Sequence, residues 1–235
     1  MRTLLGGFCC MKIAIDGPAG AGKSTIARTL ASRLSYLYID TGAMYRALAL
    51  KAIKAAIDIN DPQQLVDLAF HTHISFLPDS QEQKVICDGE DVTADIRSPE
   101  VSSVVAQVAA HPAVREQMVR MQQDMARNHS VVMDGRDIGE CVLPDADFKF
   151  FVTASLEERT RRRIKELQSK GYQVNEEDIR KDIEKRDYQD AHREVGALKI
   201  LPDSIVIDTT DLTVEEAVTR IMSIIQGGAV IKDAL

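Results

Sequence analysis

The sequence predicts an α/β fold built on a parallel β-sheet, and the pattern begins near the N-terminus. A short run rich in β-branched residues, Lys12 to Asp16, is bounded by Gly17 and is typical of a buried strand. From Ser24 to Leu34, apolar residues recur at four-residue spacing, which indicates one face of a helix. A second short strand follows at Tyr36 to Ile39. A strand, a glycine-rich loop, a helix and a strand in this order predict a βαβ unit with parallel strands.

The middle of the chain interrupts this alternation with a hairpin. After a predicted helix at Ala43 to Ile57, two short strands, His73 to Phe76 and Lys84 to Cys87, flank a polar turn at 78–83. A hairpin does not belong in a repeat of strands and helices. We therefore expect residues of about 70–110 to form an inserted subdomain.

The rest of the chain returns to alternating strands and helices. Ser155, with Glu158 three residues later, predicts a capping box at the start of one helix, and Asn175 predicts the N-cap of another that runs through Asp187. Gly227-Gly228 predicts the end of the last helix, before a frayed tail at 227–235. The other predicted elements are helices at Pro99 to Ala110, Pro112 to Asn128 and Thr213 to Ile225, and strands at Val131 to Met133, Phe148 to Val152 and Ile205 to Ile207.

Composition limits the classes of function. The chain has 235 residues, 45% of them hydrophobic, which suits one domain with an insertion, here residues 11–226. No stretch approaches the roughly 18 consecutive apolar residues of a membrane span, and a net charge of -7 argues against a basic nucleic-acid-binding surface. The four cysteines form no CxxC pair, which is typical of reduced thiols in the cytoplasm. We expect a cytoplasmic monomer that acts on a small molecule, with a disordered extension at residues 1–10.

Residues 17–24 read GPAGAGKS and match the phosphate-binding pattern G-x-x-x-x-G-K-[ST] at every fixed position. Glycines let the backbone approach an anion closely, and successive N–H groups at a helix N-terminus form a concave anion site. Lys23 can reach the β- and γ-phosphates, and the Ser24 hydroxyl can ligate Mg²⁺. The loop predicts binding of ATP by Gly17, Pro18, Ala19, Gly20, Ala21, Gly22, Lys23, Ser24 and Thr25.

An acidic residue follows a later strand and suits a magnesium site. Asp134 ends the strand VVMD, where a carboxylate can hold Mg²⁺ through a water molecule, although Asp-Gly is also a common turn. Asp16, at the end of the first strand, is a second candidate for the same neighbourhood. The predicted metal site therefore combines Ser24 with Asp134, acting through water.

The last third of the chain is rich in arginine, and a guanine-reading element resembling NKxD, which a GTPase would need, is absent from the sequence. Most of these arginines are spaced to pair with glutamates at i, i+4 and predict solvated helix charges. Arg186 and Arg193 surround Asp190, and for these two we favour phosphate binding, because a guanidinium fork matches phosphate oxygens.

Five segments of the sequence resemble, in order and spacing, the bacterial cytidylate kinases. The segments are IAIDGPAGAGKST, YIDTGAMYRALAL, DGEDVTADIRSPEV, VVMDGRDIG-CVLPDA and KRDYQDAHRE. The resemblance covers Met11 to about Gln226, and its most specific parts are DTGAMYR and DGRDIG. It implies a five-stranded parallel P-loop kinase core, with an inserted subdomain of about 70–110 that binds the nucleoside monophosphate and a short helical lid of about 170–195.

The resemblance also implies roles for single residues. Thr41 and Arg46 match positions on the phosphate side of the acceptor, which Asp40 borders. Arg115 and Asp137 match positions at the cytosine. The remaining nucleotide contacts fall on Arg136, on Arg186 and Asp190 at the ribose, and on Arg193 at a phosphate.

The implied reaction is transfer of a phosphoryl group from ATP to CMP or dCMP, with Mg²⁺ as cofactor. Lys23, Arg186 and Arg193 would supply positive charge to the transferred group. Two rival interpretations stay open: a P-loop kinase for UMP, AMP or a metabolite, and a nucleotide-dependent binding or regulatory module. The chain also departs from many relatives, with Ala106 in place of a base-contacting serine and Gly196-Ala197-Leu198 after the lid; for Glu140 in DGRDIGE the sequence offers no account.

Overall fold

The computed structural model describes residues 10–77, 83–169 and 171–232, with the backbone alone at 228–232. Within these ranges the strands are β1 (Lys12–Asp16), β2 (Leu37–Asp40), β3 (Ile74–Leu77), β4 (Lys84–Cys87), β5 (Glu90–Asp91), β6 (Val131–Gly135), β7 (Phe148–Thr153) and β8 (Ile205–Asp208). The helices are α1 (Lys23–Leu34), α2 (Thr41–Lys54), α3 (Pro62–Phe70), α4 (Pro99–Val108), α5 (Pro112–Ala126), α6 (Leu156–Ser169), α7 (Glu176–Ala191) and α8 (Val214–Lys232).

Five strands form one parallel sheet in the order β2-β6-β1-β7-β8, which confirms the predicted fold class. The central strand β1 pairs with β6 from Lys12 opposite Val131 to Asp16 opposite Gly135. Because the strands are parallel, their carboxyl ends meet at one edge, where β1 leads into the phosphate loop. Open α/β sheets bind their ligands at this edge.

Two hydrophobic clusters bury the two faces of this sheet. Ile13 and Ile15 of β1 belong to one cluster, with α1 and α8, whereas Ala14 belongs to the other, with α2, α4 and α5. This alternation follows from the two-residue period of a strand. Both faces are covered by helices, so the sheet is a rigid base for the loops at its carboxyl edge.

The insertion contains a second sheet, in which β3, β4 and β5 pair antiparallel. Ile74 and Val85 are buried in the same cluster as Leu48 of α2, so the small sheet shares a core with one face of the main sheet. Most of the predicted polar turn, residues 78–82, lies outside the described residues, as do 1–9 and 233–235 of the predicted extension and tail.

One local prediction is wrong, and another holds only in part. Helix α8 does not end at Gly227-Gly228 but continues to Lys232, because glycine ends a helix by adopting positive φ, and neither of these glycines does so. The capping box is half formed: Ser155 Oγ accepts from the Glu158 N–H at 3.2 Å, but the Ser155 N–H donates to Thr210 Oγ1 instead of to Glu158. The Glu158 carboxylate accepts from Arg161 and Arg162, and these hydrogen bonds, those from Arg161 above all, lower its pKa to about 2.

Helix α3 is an element that the sequence reading missed. Its signals were present in Asp61, whose carboxylate caps the helix, and in Pro62 at the first turn. None of the described helices is both long enough and apolar enough to cross a bilayer.

Candidate active site

The phosphate loop takes a backbone shape that glycine alone adopts without strain. Gly17, Gly20 and Gly22 have φ of 149°, 77° and 88°. A side chain at Gly17 would also collide with the Val152 carbonyl oxygen of β7. Gly22 is the N-cap of α1, and among the described residues no side chain caps this helix. The N–H groups at its positive end are therefore available to an anion.

Lys23 is buried beside this loop, and its Nζ donates to the Pro18 carbonyl oxygen at 2.7 Å. Burial, together with the charge of Arg136, lowers its pKa to about 7. The charge of Arg186 acts in the same direction, so these three cations lie within electrostatic range of one another. An anionic ligand among them would restore the lysine's positive charge.

The two residues predicted to hold Mg²⁺ are in contact. Ser24 Oγ donates to one carboxylate oxygen of Asp134 at 2.8 Å, and the Tyr38 hydroxyl donates to the other at 2.9 Å. Burial and the nearby charge of Asp40 raise the Asp134 pKa to about 6. No three His, Cys, Asp or Glu side chains converge on a common point in the described part of the chain. The donor set fits Mg²⁺, which commonly takes one or two protein ligands beside water and phosphate oxygens.

Asp16, the second candidate for the metal, has a different position. One carboxylate oxygen accepts from the Ile138 N–H and the other from the Gly139 N–H, both at 2.8 Å. Burial raises the Asp16 pKa to about 6 in spite of these hydrogen bonds. Asp16 thus anchors the π-helical turn Ile138–Val142 to the end of β1. Its oxygens are engaged by this turn, so we discard it as a metal ligand.

Helix α2 starts at the carboxyl edge, with Asp40, Thr41 and Arg46, which were predicted to bind the acceptor, in or beside its first two turns. Asp40 caps it by accepting from the Ala43 N–H at 2.7 Å, and its other oxygen accepts from Arg46 at 3.1 Å. Thr41 Oγ1 donates to the Asp134 carbonyl oxygen at 2.7 Å. The cap therefore fixes Arg46 at the carboxyl edge, within electrostatic range of Arg186.

Asp190 is the centre of an arginine cluster and is completely buried. Arg136 Nε donates to it at 2.6 Å, and Arg193 donates to its other oxygen. Burial alone would raise the Asp190 pKa, but the two guanidinium groups lower it below the usual value. Arg186 lies in the field of Arg136 and Asp190, and burial lowers its pKa to about 10. The lid helix α7 thus brings Arg186 and Asp190 to Arg136, which follows β6.

Arg115 and Asp137, predicted to contact the base, form a buried ion pair with each other. Arg115 also donates to the Ala109 carbonyl oxygen at 3.1 Å, and its guanidinium lies 5.5 Å from the Tyr45 ring centroid. Gly196, with φ of 67°, covers the pair so closely that a Cβ there would collide with both side chains. The departure Gly196-Ala197-Leu198 therefore closes over the predicted base site.

Most buried polar atoms without a hydrogen-bond partner lie in or beside the residues predicted to bind the acceptor. Among the described residues, such atoms are found in Tyr45, Arg46, Arg115 and Arg186, besides Gln122 and Asp187. Buried polar groups are nearly always paired in folded proteins, and exceptions point to strain or to a ligand. The four exceptions at Tyr45, Arg46, Arg115 and Arg186 indicate that the space between these side chains is built for a polar ligand.

Two arginines that the sequence reading assigned to the solvated face of a helix brace the phosphate loop. Arg159 donates to the Ala19 carbonyl oxygen at 3.3 Å and to Asp187 at 2.6 Å. Arg162 donates to the carbonyl oxygens of Ala21 at 3.4 Å and Thr209 at 2.6 Å. Arg162 does pair with Glu158 at i, i+4, as its spacing predicts. Spacing along one helix does not predict contacts with the phosphate loop.

The structure also shows the contacts of two further residues, Glu140 and Ser103. Glu140 pairs with Lys199 at 2.6 Å, which ties the π-helical turn to the segment after the lid. Ser103, considered as a substitute for the serine missing at Ala106, is exposed and donates to the Glu100 carbonyl oxygen. It does not reach the Arg115–Asp137 pair by any hydrogen bond described for it.

Comparison with known proteins gives a consistent result. The family model described as cytidylate kinase matches residues 13–227. A cytidylate kinase from Symbiobacterium thermophilum is 54% identical over 212 residues, covering 89% of this chain and 93% of that protein. Those from Geobacillus sp. (52% over 215 residues, 92% and 96% of the two chains) and Lactobacillus johnsonii (50% over 216 residues, 92% and 94%) are similar over the same extent.

Proposed function

Because this chain belongs to the cytidylate kinase family, it is a phosphotransferase, and we propose that it transfers the γ-phosphoryl group of ATP to CMP and dCMP. The observation that supports this most directly is the cationic pocket at the carboxyl edge of the sheet. There the charges of Arg136 and Arg186 act on Lys23, and that of Arg46 acts on Arg186. Arg46 and Arg186 each keep a buried N–H group without a partner.

The phosphate loop binds the donor. Its N–H groups and the N-terminus of α1 receive the β- and γ-phosphates, and Lys23 leaves the Pro18 carbonyl oxygen to donate to them. Ser24 and Asp134 would hold Mg²⁺, Asp134 through water, and the ion would neutralise charge on the phosphates.

The arginine cluster binds the acceptor. Arg46 and Thr41 contact its phosphate side, bordered by Asp40, with Arg136 beside them. Arg186 and Asp190 contact the ribose, and Arg193 contacts a phosphate. Arg115 and Asp137 read the base, since a guanidinium donates to N3 or O2 of cytosine and a carboxylate accepts from N4.

The reaction requires no covalent enzyme intermediate. An oxygen of the acceptor phosphate forms a bond to the γ-phosphorus while the bond from that phosphorus to the β–γ bridging oxygen breaks, and ADP leaves. The acceptor oxygen is already anionic, so no general base is assigned. Lys23, Arg186 and Arg193 stabilise charge on the transferred group by position alone.

Three parts of the chain have proposed roles in this cycle. Residues of about 70–110 form the monophosphate-binding insertion, residues of about 170–195 form the lid, and 11–226 work as one kinase domain. We also propose that the protein acts as a monomer in the cytoplasm, independently of nucleic acid and membranes. The free thiols of Cys87 and Cys141 fit a reducing compartment.

An ADP-release assay with alternative acceptors tests the proposal. We expect release with CMP and dCMP to exceed that with UMP, AMP, dTMP or shikimate. Lys23→Ala should lower turnover by roughly 10²–10³-fold, because a charge preorganised for the transition state is lost. Lys54→Ala is the matched control, since Lys54 is half exposed on α2 and faces Glu90 and Asp95.

Two results would contradict the proposal. Faster release with AMP, UMP or shikimate than with CMP would assign the chain to another small-molecule kinase activity. Little release with any acceptor would favour the binding or regulatory module. Near-normal turnover of a folded Lys23→Ala protein would reject the role of the loop.

A further inference from the structure

Tyr45 on α2 has a buried hydroxyl that no described residue satisfies. The residue is 8% exposed, and its ring lies beneath the Arg115 guanidinium. The other tyrosines of the βαβ unit differ in this respect. Tyr38 donates to Asp134 at 2.9 Å, and Tyr36 donates to Met11 Sδ at 3.5 Å. A buried tyrosine normally finds a partner for its hydroxyl, so the exception at Tyr45 requires an explanation.

The surroundings of the Tyr45 hydroxyl are those of the proposed base site. The charges that act on it most strongly belong to Arg115 and Asp137, followed by Arg193. Burial raises the Tyr45 pKa well above its usual value, so the hydroxyl keeps its proton at neutral pH and can donate. The nearby Arg115 also has a buried Nε without a partner. Two buried donors without a partner therefore belong to neighbouring side chains, since the Arg115 guanidinium lies 5.5 Å from the Tyr45 ring centroid.

We propose that Tyr45 contacts the substrate base, donating its hydroxyl proton to one of the two acceptors of cytosine, N3 and O2, while Arg115 donates to the other. The inference rests on the proposed function and adds a residue to it. Asp137 would then accept from N4, so that three side chains from α2, α5 and the turn after β6 surround the polar edge of the ring. Ala106 presents no hydroxyl, and Tyr45 supplies one from the neighbouring helix.

The test compares Tyr45→Phe with the wild-type chain. Phenylalanine keeps the ring under Arg115 and removes the hydroxyl alone. We expect the Kd and KM for CMP to rise about fivefold to tenfold, as for loss of one hydrogen bond, with the KM for ATP unchanged. Inhibition by ribose 5-phosphate, which lacks the base, should be the same in both proteins. Without ligand, the Tm of the variant should equal or exceed that of the wild type, because the lost hydroxyl had no partner.

Tyr36→Phe is the control, since Tyr36 lies in the other hydrophobic cluster. The inference is overturned if Tyr45→Phe binds CMP as tightly as the wild type does. It is also overturned if the substitution weakens the binding of CMP and of ribose 5-phosphate by the same factor. A lower Tm without ligand, or failure to fold, would show a structural hydrogen bond and would also overturn it. The proposed function fails separately, by absence of ADP release from the wild-type enzyme with CMP.

Discussion

The proposed donor side and the proposed acceptor side of this site are built in different ways. The donor side is one continuous segment, residues 17–25, whose shape is set by its own backbone and by the strand and helix that it joins. The acceptor side is assembled from side chains on α2, α5, α7 and the turn after β6. Some of its polar atoms pair with one another, as Arg115 does with Asp137, and others stay buried without a partner.

This difference has a physical consequence for binding. A loop of N–H groups is preorganised for phosphate and needs little rearrangement. Paired side chains must instead exchange partners when a nucleotide enters. We therefore expect substitutions on the acceptor side to separate affinity, turnover and base choice from one another, in a way that the loop does not allow.

The largest expected effect lies at the lid. Arg193→Ala should lower kcat for CMP phosphorylation by roughly 10²–10³-fold, because a phosphate-facing charge acts on the transition state. Asp190→Ala should chiefly raise the KM for CMP. It should also lower the free energy of unfolding by about 3–5 kcal/mol, because Arg136 and Arg193 would lose their buried counter-charge.

Steady-state kinetics and thermal melts distinguish these outcomes. Arg120→Ala is a suitable control, since Arg120 is exposed on α5 and pairs with Glu116. If Arg193→Ala and Asp190→Ala both behave like the wild type, the lid residues do not contact substrate, and the two halves of the site are not both functional.

An intermediate effect is expected for base choice. Asp137→Asn should reduce the ratio of kcat/KM for CMP over UMP by about tenfold, because an amide can present either a donor or an acceptor to the base. Ala106→Ser should leave this ratio equal or raise it. Glu140→Gln, in the same turn but paired with Lys199, is the control. If kcat/KM falls equally for CMP and for UMP, so that their ratio is unchanged, Asp137 only holds Arg115 in place.

The smallest expected effect is on stability, and it distinguishes Asp134 from Asp16, which both lie near the phosphate loop. Burial raises both pKa values from 3.8 to about 6, so the folded state binds these protons more tightly than the unfolded state. The stability that each group contributes is complete below pH 3.8 and is lost as the pH rises through about 6. Asp134→Asn should remove its share of this dependence and raise the Tm at pH 8 by about 2–4 °C, a difference on the order of 1 kcal/mol.

Asp16→Asn should have the opposite sign. Its new amide N–H would face the N–H of Ile138 or Gly139, so the Tm should fall at every pH. Thermal melts at pH 5 and pH 8 measure both variants against the wild type. The assignment is contradicted if Asp134→Asn keeps the wild-type pH dependence, or if Asp16→Asn is stabilising.

The sequence predicted the shape of the phosphate loop because its signals are local. Glycine spacing, the following helix and Lys23 all lie within a few residues. Asp134 was selected because it ends a strand, and it contacts Ser24. Asp16 ends a strand as well, but its contacts are different. Two strand ends look alike in sequence, but the partner of Asp16 is a backbone turn more than 120 residues away.

Residues for the acceptor side could be proposed only through resemblance to a family, and their pairings could not be predicted at all. Arg159 was assigned to a solvated face because helical spacing describes neighbours along one helix. Its actual partners, Ala19 and Asp187, lie on a loop and on another helix. The end of α8 was misplaced because a glycine pair ends a helix only where a glycine adopts positive φ, which the sequence does not specify and Gly227 does not do.

Asp190 has a further consequence for how a nucleotide enters. The carboxylate is fully enclosed, and its partners Arg136 and Arg193 are largely shielded from water. These guanidinium groups lost most of their hydration when the chain folded. If the acceptor phosphate binds Arg193 as we propose, taking that guanidinium from Asp190 strips little water from the protein. Substrate capture at this point would then be an exchange of one anionic partner for another, because the arginines were dehydrated during folding.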